Sequence, residues 1–130
     1  MEDLELANFT LLLLVGLVVK HFIADYTLQT ASMIQGKGSF LSPGGYIHAG
    51  IHAVGTIIVF TLFAIPTTLF WSLVVLEFVV HYLVDFGKRN FGDHVSSTES
   101  PRMFWAINGF DQLLHHLTYI ALAMLIVHNL

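Results

Sequence analysis

The stretch LFWSLVVLEFVVHYLVDFGK, residues 69–88, decides the fold. Its 20 residues are enough for an α-helix to cross the ~30 Å hydrocarbon core of a bilayer. Lipid cannot hydrogen-bond a backbone, so a spanning segment is a helix or part of a closed barrel. Alternation of period two is absent here, and a helix is expected. Glu77, His81 and Asp85 interrupt the apolar run at successive i, i+4 positions, which places them on one face. Each such group costs about 2.5–3.5 kcal/mol on insertion scales, and by default it marks function.

Three further stretches have the same character: Leu6–Gln29, Tyr46–Ile65 and Phe104–Val127. With Leu69–Lys88 they predict an all-α, integral-membrane four-helix bundle, up-down-up-down, in a single domain spanning residues 1–130. Pro66 with Thr67–Thr68 predicts a tight hairpin between spans two and three. Ser100–Pro101 reads as an N-cap followed by proline at the first helical position. The N-terminal flank carries Glu2, Asp3 and Glu5 where a signal peptide carries positive charge, so the first span is expected to be retained.

Composition agrees with this expectation. The chain is 55% apolar and 11% charged, with a mean hydropathy of +0.74; an average soluble domain is about 25% charged. A soluble enzyme domain and a disordered chain are excluded. So is a nucleic-acid partner, because the 5 Lys and Arg residues neutralise few phosphates. The absence of cysteine excludes disulfide frameworks, Cys-based zinc sites and thiol catalysis.

Basic residues set the expected orientation. Lys37 lies between spans one and two, and Lys88, Arg89 and Arg102 lie between or beside spans three and four. Both loops are expected on the cytoplasmic side, with both termini outside. The loops Thr30–Gly45 and Arg89–Met103 are polar, and His94, beside Asp93, reads as a solvated residue.

Every span repeats the i, i+4 polar pattern. Span one has His21 and Asp25, followed by Gln29; span two has His48 and His52. Span four has Asp111 and His115, flanked by Asn108, Gln112 and His116. At about 1.5 Å rise per residue, helices of alternating direction bring these groups to one level in the inner half of the bilayer.

Four carboxylates (Asp25, Glu77, Asp85, Asp111) and up to six imidazoles need compensating charge in low dielectric. One or two divalent cations would supply it. Four-helix bundles build carboxylate–His dimetal sites from inward-facing residues, and this donor set suits Zn, Fe or Mn. The expected ligands are His21, Asp25, His48, His52, His81, Asp85, Asp111 and His115. Glu77, a turn deeper, and His116, about 100° round the helix from His115, are the candidate proton carriers. Lys20 is expected to reach a charged partner or the interface. His128, Trp71 and Trp105 read as interfacial. Without metal, the same groups could form a hydrogen-bond and salt-bridge network. Haem needs only two axial imidazoles and leaves the three Asp unexplained.

The segments His21-Phe-Ile-Ala-Asp25-Tyr-Thr-Leu-Gln29, His48-Ala-Gly-Ile-His52, His81-Tyr-Leu-Val-Asp85 and Asp111-Gln-Leu-Leu-His115 resemble those of a family of small bacterial and phage membrane proteins filed as domain of unknown function 3307. The resemblance covers nearly the whole chain. It implies an architecture, not an activity, and the expected location is the bacterial inner (cytoplasmic) membrane as a multi-pass protein. A looser similarity is to membrane-bound metal-dependent hydrolases, although their His-Arg and Thr-His-Ser segments have no clear match here.

Three functions fit the pattern. The preferred one is a metal-dependent hydrolase acting on a lipid-linked or membrane substrate. The second is a diiron oxygenase or desaturase-like enzyme. The third is a non-enzymatic accessory or structural subunit, or an ion-conducting element, of a larger membrane assembly; conduction would need a homo-oligomer.

Overall fold

The computed structural model describes residues 2–92 and 94–130; Asp93, the neighbour of the exposed His94, lies outside the described residues. Helix α1 (Glu2–Phe22) runs on into a π-helical turn (Ile23–Thr27). It is followed by α2 (Ala31–Gly36), α3 (Pro43–Leu62), α4 (Thr67–Phe91) and α5 (Pro101–His128). No strand occurs among the described residues. Asp3–Thr27, Pro43–Leu62, Thr67–Phe91 and Pro101–His128 are long and apolar enough to cross a membrane.

Local chemistry sets the helix ends. At the start of α3 the Ser42 hydroxyl accepts from the Gly44 N–H, and Pro43 occupies the first turn, where its missing donor costs nothing. Ser100 and Pro101 take the expected places at the start of α5, although the Ser100 side chain makes no capping bond. Helix α3 ends in a Schellman-type turn: Ile65 N–H donates to Phe60 O at 3.0 Å and Ala64 N–H to Thr61 O at 3.2 Å. Ala64 takes the left-handed conformation, with φ 49°.

Three boundaries differ from the sequence expectation. Thr67 and Thr68 begin α4 rather than forming the hairpin, whose turn is residues 63–66. Helices α4 and α5 absorb Arg89 and Arg102 from the expected loop. The Gly- and Ser-rich segment after span one contains α2, capped by Thr30, whose hydroxyl accepts from Met33 N–H. Short polar caps and glycine-permitted packing build this helix, and hydropathy does not detect either.

Each long helix packs antiparallel to two neighbours, closing a ring in the order α1, α3, α4, α5. The register is visible in matched pairs: Lys20 with His52, Thr56 with Glu77, Lys88 with Asp111, and His21 with Tyr119. Outward faces are apolar, including Leu11, Val15, Val54, Ile58, Val75, Val79 and Leu117. The interior divides into two halves. Towards the α3–α4 turn it is an apolar core of Leu13, Leu17, Val59, Phe60, Leu73, Val74, Tyr119, Leu122 and Ile126. The other half is filled by ionisable side chains.

Helix α2 leans on the start of α3 through two glycines. A Cβ on Gly36 would lie 2.7 Å from Gly44 Cα, and one on Gly44 would lie 2.6 Å from Ser32 O. This close approach presents Lys37, the residue after α2, to Asp85.

Candidate metal centre

The π-turn of α1 is closed by Leu28 N–H donating to Ile23 O at 3.1 Å, and such turns often occur at functional sites. It carries Asp25, whose carboxylate is the first focus of the cluster. His21 Nε2 lies 3.1 Å from Oδ2, and His48 Nε2 and His52 Nε2 each lie 3.1 Å from Oδ1. Asp85 on α4 is the second focus. Its Oδ2 is 3.4 Å from both His48 Nε2 and His81 Nε2, and its Oδ1 is 3.5 Å from His115 Nε2. The same His115 nitrogen is 3.5 Å from Asp111 Oδ1. The rings crowd together, with centroids 3.7 Å apart for His52 and His81 and 4.2 Å apart for His81 and His115.

Ligand atoms within 4.8 Å of one another form three groups: Asp25, His48, His52 and His81; His21, His81 and His115; and Asp85, Asp111 and His115. These are the same eight residues that helical spacing nominates, and His81 and His115 each join two groups. Except for Asp25, which is partly buried, all eight are buried.

The donor set fits a divalent cation on two grounds. Two ligands about 2.0–2.1 Å from a tetrahedral cation stand roughly 3.3 Å apart, and the His–Asp separations run from 3.1 to 3.5 Å. Several of these close approaches are also not hydrogen bonds. Nε2 of His48, His81 and His115, and Oδ1 of Asp111, are buried with no hydrogen-bond partner. Buried polar atoms are ordinarily partnered; Nδ1 of His48, His52 and His81 is unpartnered as well, whereas His52 Nε2 and Asp25 Oδ1 are hydrogen-bonded at 3.1 Å.

Surrounding groups hold the cluster in place. Tyr119 hydroxyl and His21 Nδ1 are 2.8 Å apart, and His21 Nε2 is 3.0 Å from Gln112 Oε1. Gln112 Nε2 donates to Asp25 Oδ2 at 3.3 Å and to Asp111 Oδ2 at 3.4 Å, linking the first focus to Asp111. Lys37 pairs with Asp85 at 2.8 Å and Lys88 with Asp111 at 3.0 Å.

Glu77 stands outside the three groups. It is bound by Lys20 and by the Thr56 hydroxyl, and Lys20 also donates to His52 O at 3.3 Å. His116 is half-buried at the edge, its ring centroid 5.7 Å from that of His21. Asp111 meets Lys88 as well as His115. Two supporting residues, Thr56 and Tyr119, were not singled out from the sequence. Each extends an i, i+4 series, Thr56 after His48 and His52, and Tyr119 after Asp111 and His115.

Fold and site together define a class: a small all-helical chain whose four membrane-length helices enclose an ionisable His/Asp cluster. The chain belongs to the family described as protein of unknown function (DUF3307), whose model matches residues 13–130. No curated protein and no solved structure gave a match.

Proposed function

We propose that this chain is a membrane-embedded metalloprotein that binds two divalent cations and hydrolyses an ester or phosphoester of a lipid-linked substrate at the cytoplasmic face. The observation that carries this is the convergence of unpartnered, buried His48, His81 and His115 nitrogens on the carboxylates of Asp25, Asp85 and Asp111. One site would take Asp25, His48 and His52, and His21 would join it once its Nε2 leaves the hydrogen bond to Gln112 Oε1. The other would take Asp85, Asp111 and His115, and His81 stands between them. A divalent cation supplies Lewis acidity and lowers the pKa of water; Zn, Fe and Mn all suit the donors.

The chain's own residues complete the chemistry. Tyr119 and Gln112 orient His21, and Lys37 and Lys88 balance Asp85 and Asp111 in a low-dielectric interior. His116, half-buried beside His21, is placed to carry a proton between the cluster and the exterior. Glu77 is committed to Lys20 and Thr56 and serves as the buried counter-charge of Lys20. In this proposal the ends of the helices that carry Lys37, Lys88 and Arg89 face the cytoplasm of a bacterial inner membrane, with both termini outside.

The test is elemental analysis of detergent-purified protein, followed by an assay for release of the head group from phospholipid and acyl-ester substrates. Hydrolysis that a chelator abolishes and added Zn, Mn or Fe restores is expected. Absence of bound divalent metal would overturn the proposal. Iron at about two per chain with oxygen consumption would replace hydrolysis by the oxygenase alternative.

A further inference from the structure

Two spaces meet beside the metal cluster. One is an apolar groove of about 650 Å³ between α4 and α5, lined by Val80, Leu83, Val84, Phe110 and Leu114 and floored by Gly87. The other is a polar cavity of about 390 Å³ at the loop end of the bundle, reaching Lys37, Asp85, Lys88, Arg89 and Asn108. They share Lys88, Gly92 and Ile107, so they adjoin. Asp85 lies in the wall of the polar space and Asp111 in that of the apolar one. Both volumes lie within the roughly 300–1,000 Å³ of small-molecule sites.

Charge is concentrated here. Three of the chain's 5 basic side chains, Lys37, Lys88 and Arg89, line the polar cavity. An ammonium carries three donors. The ion pairs with Asp85 and Asp111 engage one carboxylate oxygen each, leaving donors on Lys37 and Lys88 for a second anion.

We propose that the two spaces are one binding site for a membrane lipid with an anionic, phosphate-like head group. Its aliphatic chain lies in the α4–α5 groove and its head group lies against Lys37 and Lys88. The junction between chain and head then falls beside Asp85 and Asp111. Such a lipid is the substrate class of the proposed hydrolase, so its turnover rests on that reading, whereas its binding does not.

The test is native mass spectrometry of the full chain released from dodecyl maltoside micelles, titrated with dodecyl phosphate, dodecyltrimethylammonium or inorganic phosphate. Saturable binding of dodecyl phosphate, about tenfold tighter than either comparison ligand, is expected. A Cβ at Gly87 meets nothing within 4 Å and Gly87 lines the groove, so Gly87→Phe puts a side chain into the groove's space and should weaken dodecyl phosphate about tenfold. Lys37→Gln should weaken dodecyl phosphate by a similar factor without weakening dodecyltrimethylammonium, since it bares the Asp85 carboxylate; it provides the test if Gly87→Phe does not fold. Equal binding of the two amphiphiles would mean bulk lipid only, and inorganic phosphate binding as tightly would mean an ion site only; either overturns the proposal. So does wild-type affinity in the folded variants. Metal content measured on the same samples separates the two proposals: selective binding without metal refutes only the metalloprotein, and metal without selective binding refutes only the lipid site.

Discussion

His48 on α3 turns Nε2 towards Asp25 Oδ1 on the π-turn after α1 at 3.1 Å, and that nitrogen makes no aligned hydrogen bond. A buried imidazole so close to a carboxylate would ordinarily align with it. In the proposed function this approach is read as that of two ligands of one cation. His48→Ala is therefore expected to lower the affinity of the Asp25 site for Zn while leaving the Asp85 site occupied. Titration of metal-stripped protein with Zn should show one strong equivalent in place of two; an unchanged titration would refute the assignment.

Tyr119 acts on the cluster through His21, whose Nδ1 it contacts at 2.8 Å. Groups that orient a ligand imidazole are worth about 10–100-fold in metal affinity. Tyr119→Phe should weaken the Asp25 site by a factor in that range, read by competition with a chromophoric chelator. A merely packing role would leave affinity unchanged and lower only thermal stability.

Glu77 and Lys20 are buried together, 1% and 7% exposed. Removing one partner of a buried pair strands the other, at a cost of about 3–5 kcal/mol. Glu77→Ala should destabilise the detergent-solubilised protein by this order, and Lys20→Met with Glu77→Leu should recover most of the loss. Metal content of the folded variants should not change. Loss of metal in the double variant would place Glu77 among the ligands instead.

The sequence made the four spans and the eight clustered His and Asp positions legible for one reason. A bilayer makes every ionisable side chain conspicuous, and the i, i+4 spacing of His21 with Asp25, or of His81 with Asp85, states which face they share. It did not show how the foci divide the ligands. His81 and His115 sit between groups because of how the four helices rotate against each other, a tertiary property. Lys37 was legible only as a topology signal, since its reach to Asp85 depends on α2 and the contact between Gly36 and Gly44. The roles of Lys88 and of the Lys20–Glu77 pair likewise follow from helix register.

Gly44 makes that dependence testable. A Cβ there would lie 2.6 Å from Ser32 O, so Gly44→Ala must push α2 away from α3. Overpacking of this kind costs about 1–3 kcal/mol. The variant should melt at lower temperature and show faster proteolysis in residues 31–42. An unaltered melting curve would show that α2 is not fixed by this contact.

Ala64 holds a left-handed conformation, φ 49°, at the end of α3, which costs an L-residue roughly 1–2 kcal/mol. Ala64→Gly removes most of that cost, less the extra entropy glycine loses on folding. A stabilisation of about 0.5–1 kcal/mol is expected, measured by unfolding in mixed micelles; destabilisation would contradict the turn geometry.

The central claim is that acids and imidazoles from four helices form a paired cation site. Elemental analysis of the purified chain in detergent, beside Asp25→Ala and Asp85→Ala, tests it most directly. The account predicts about two divalent ions per wild-type chain and about one in each variant. Wild-type protein without bound divalent metal, after purification free of chelators and with Zn, Fe and Mn supplied, would contradict it.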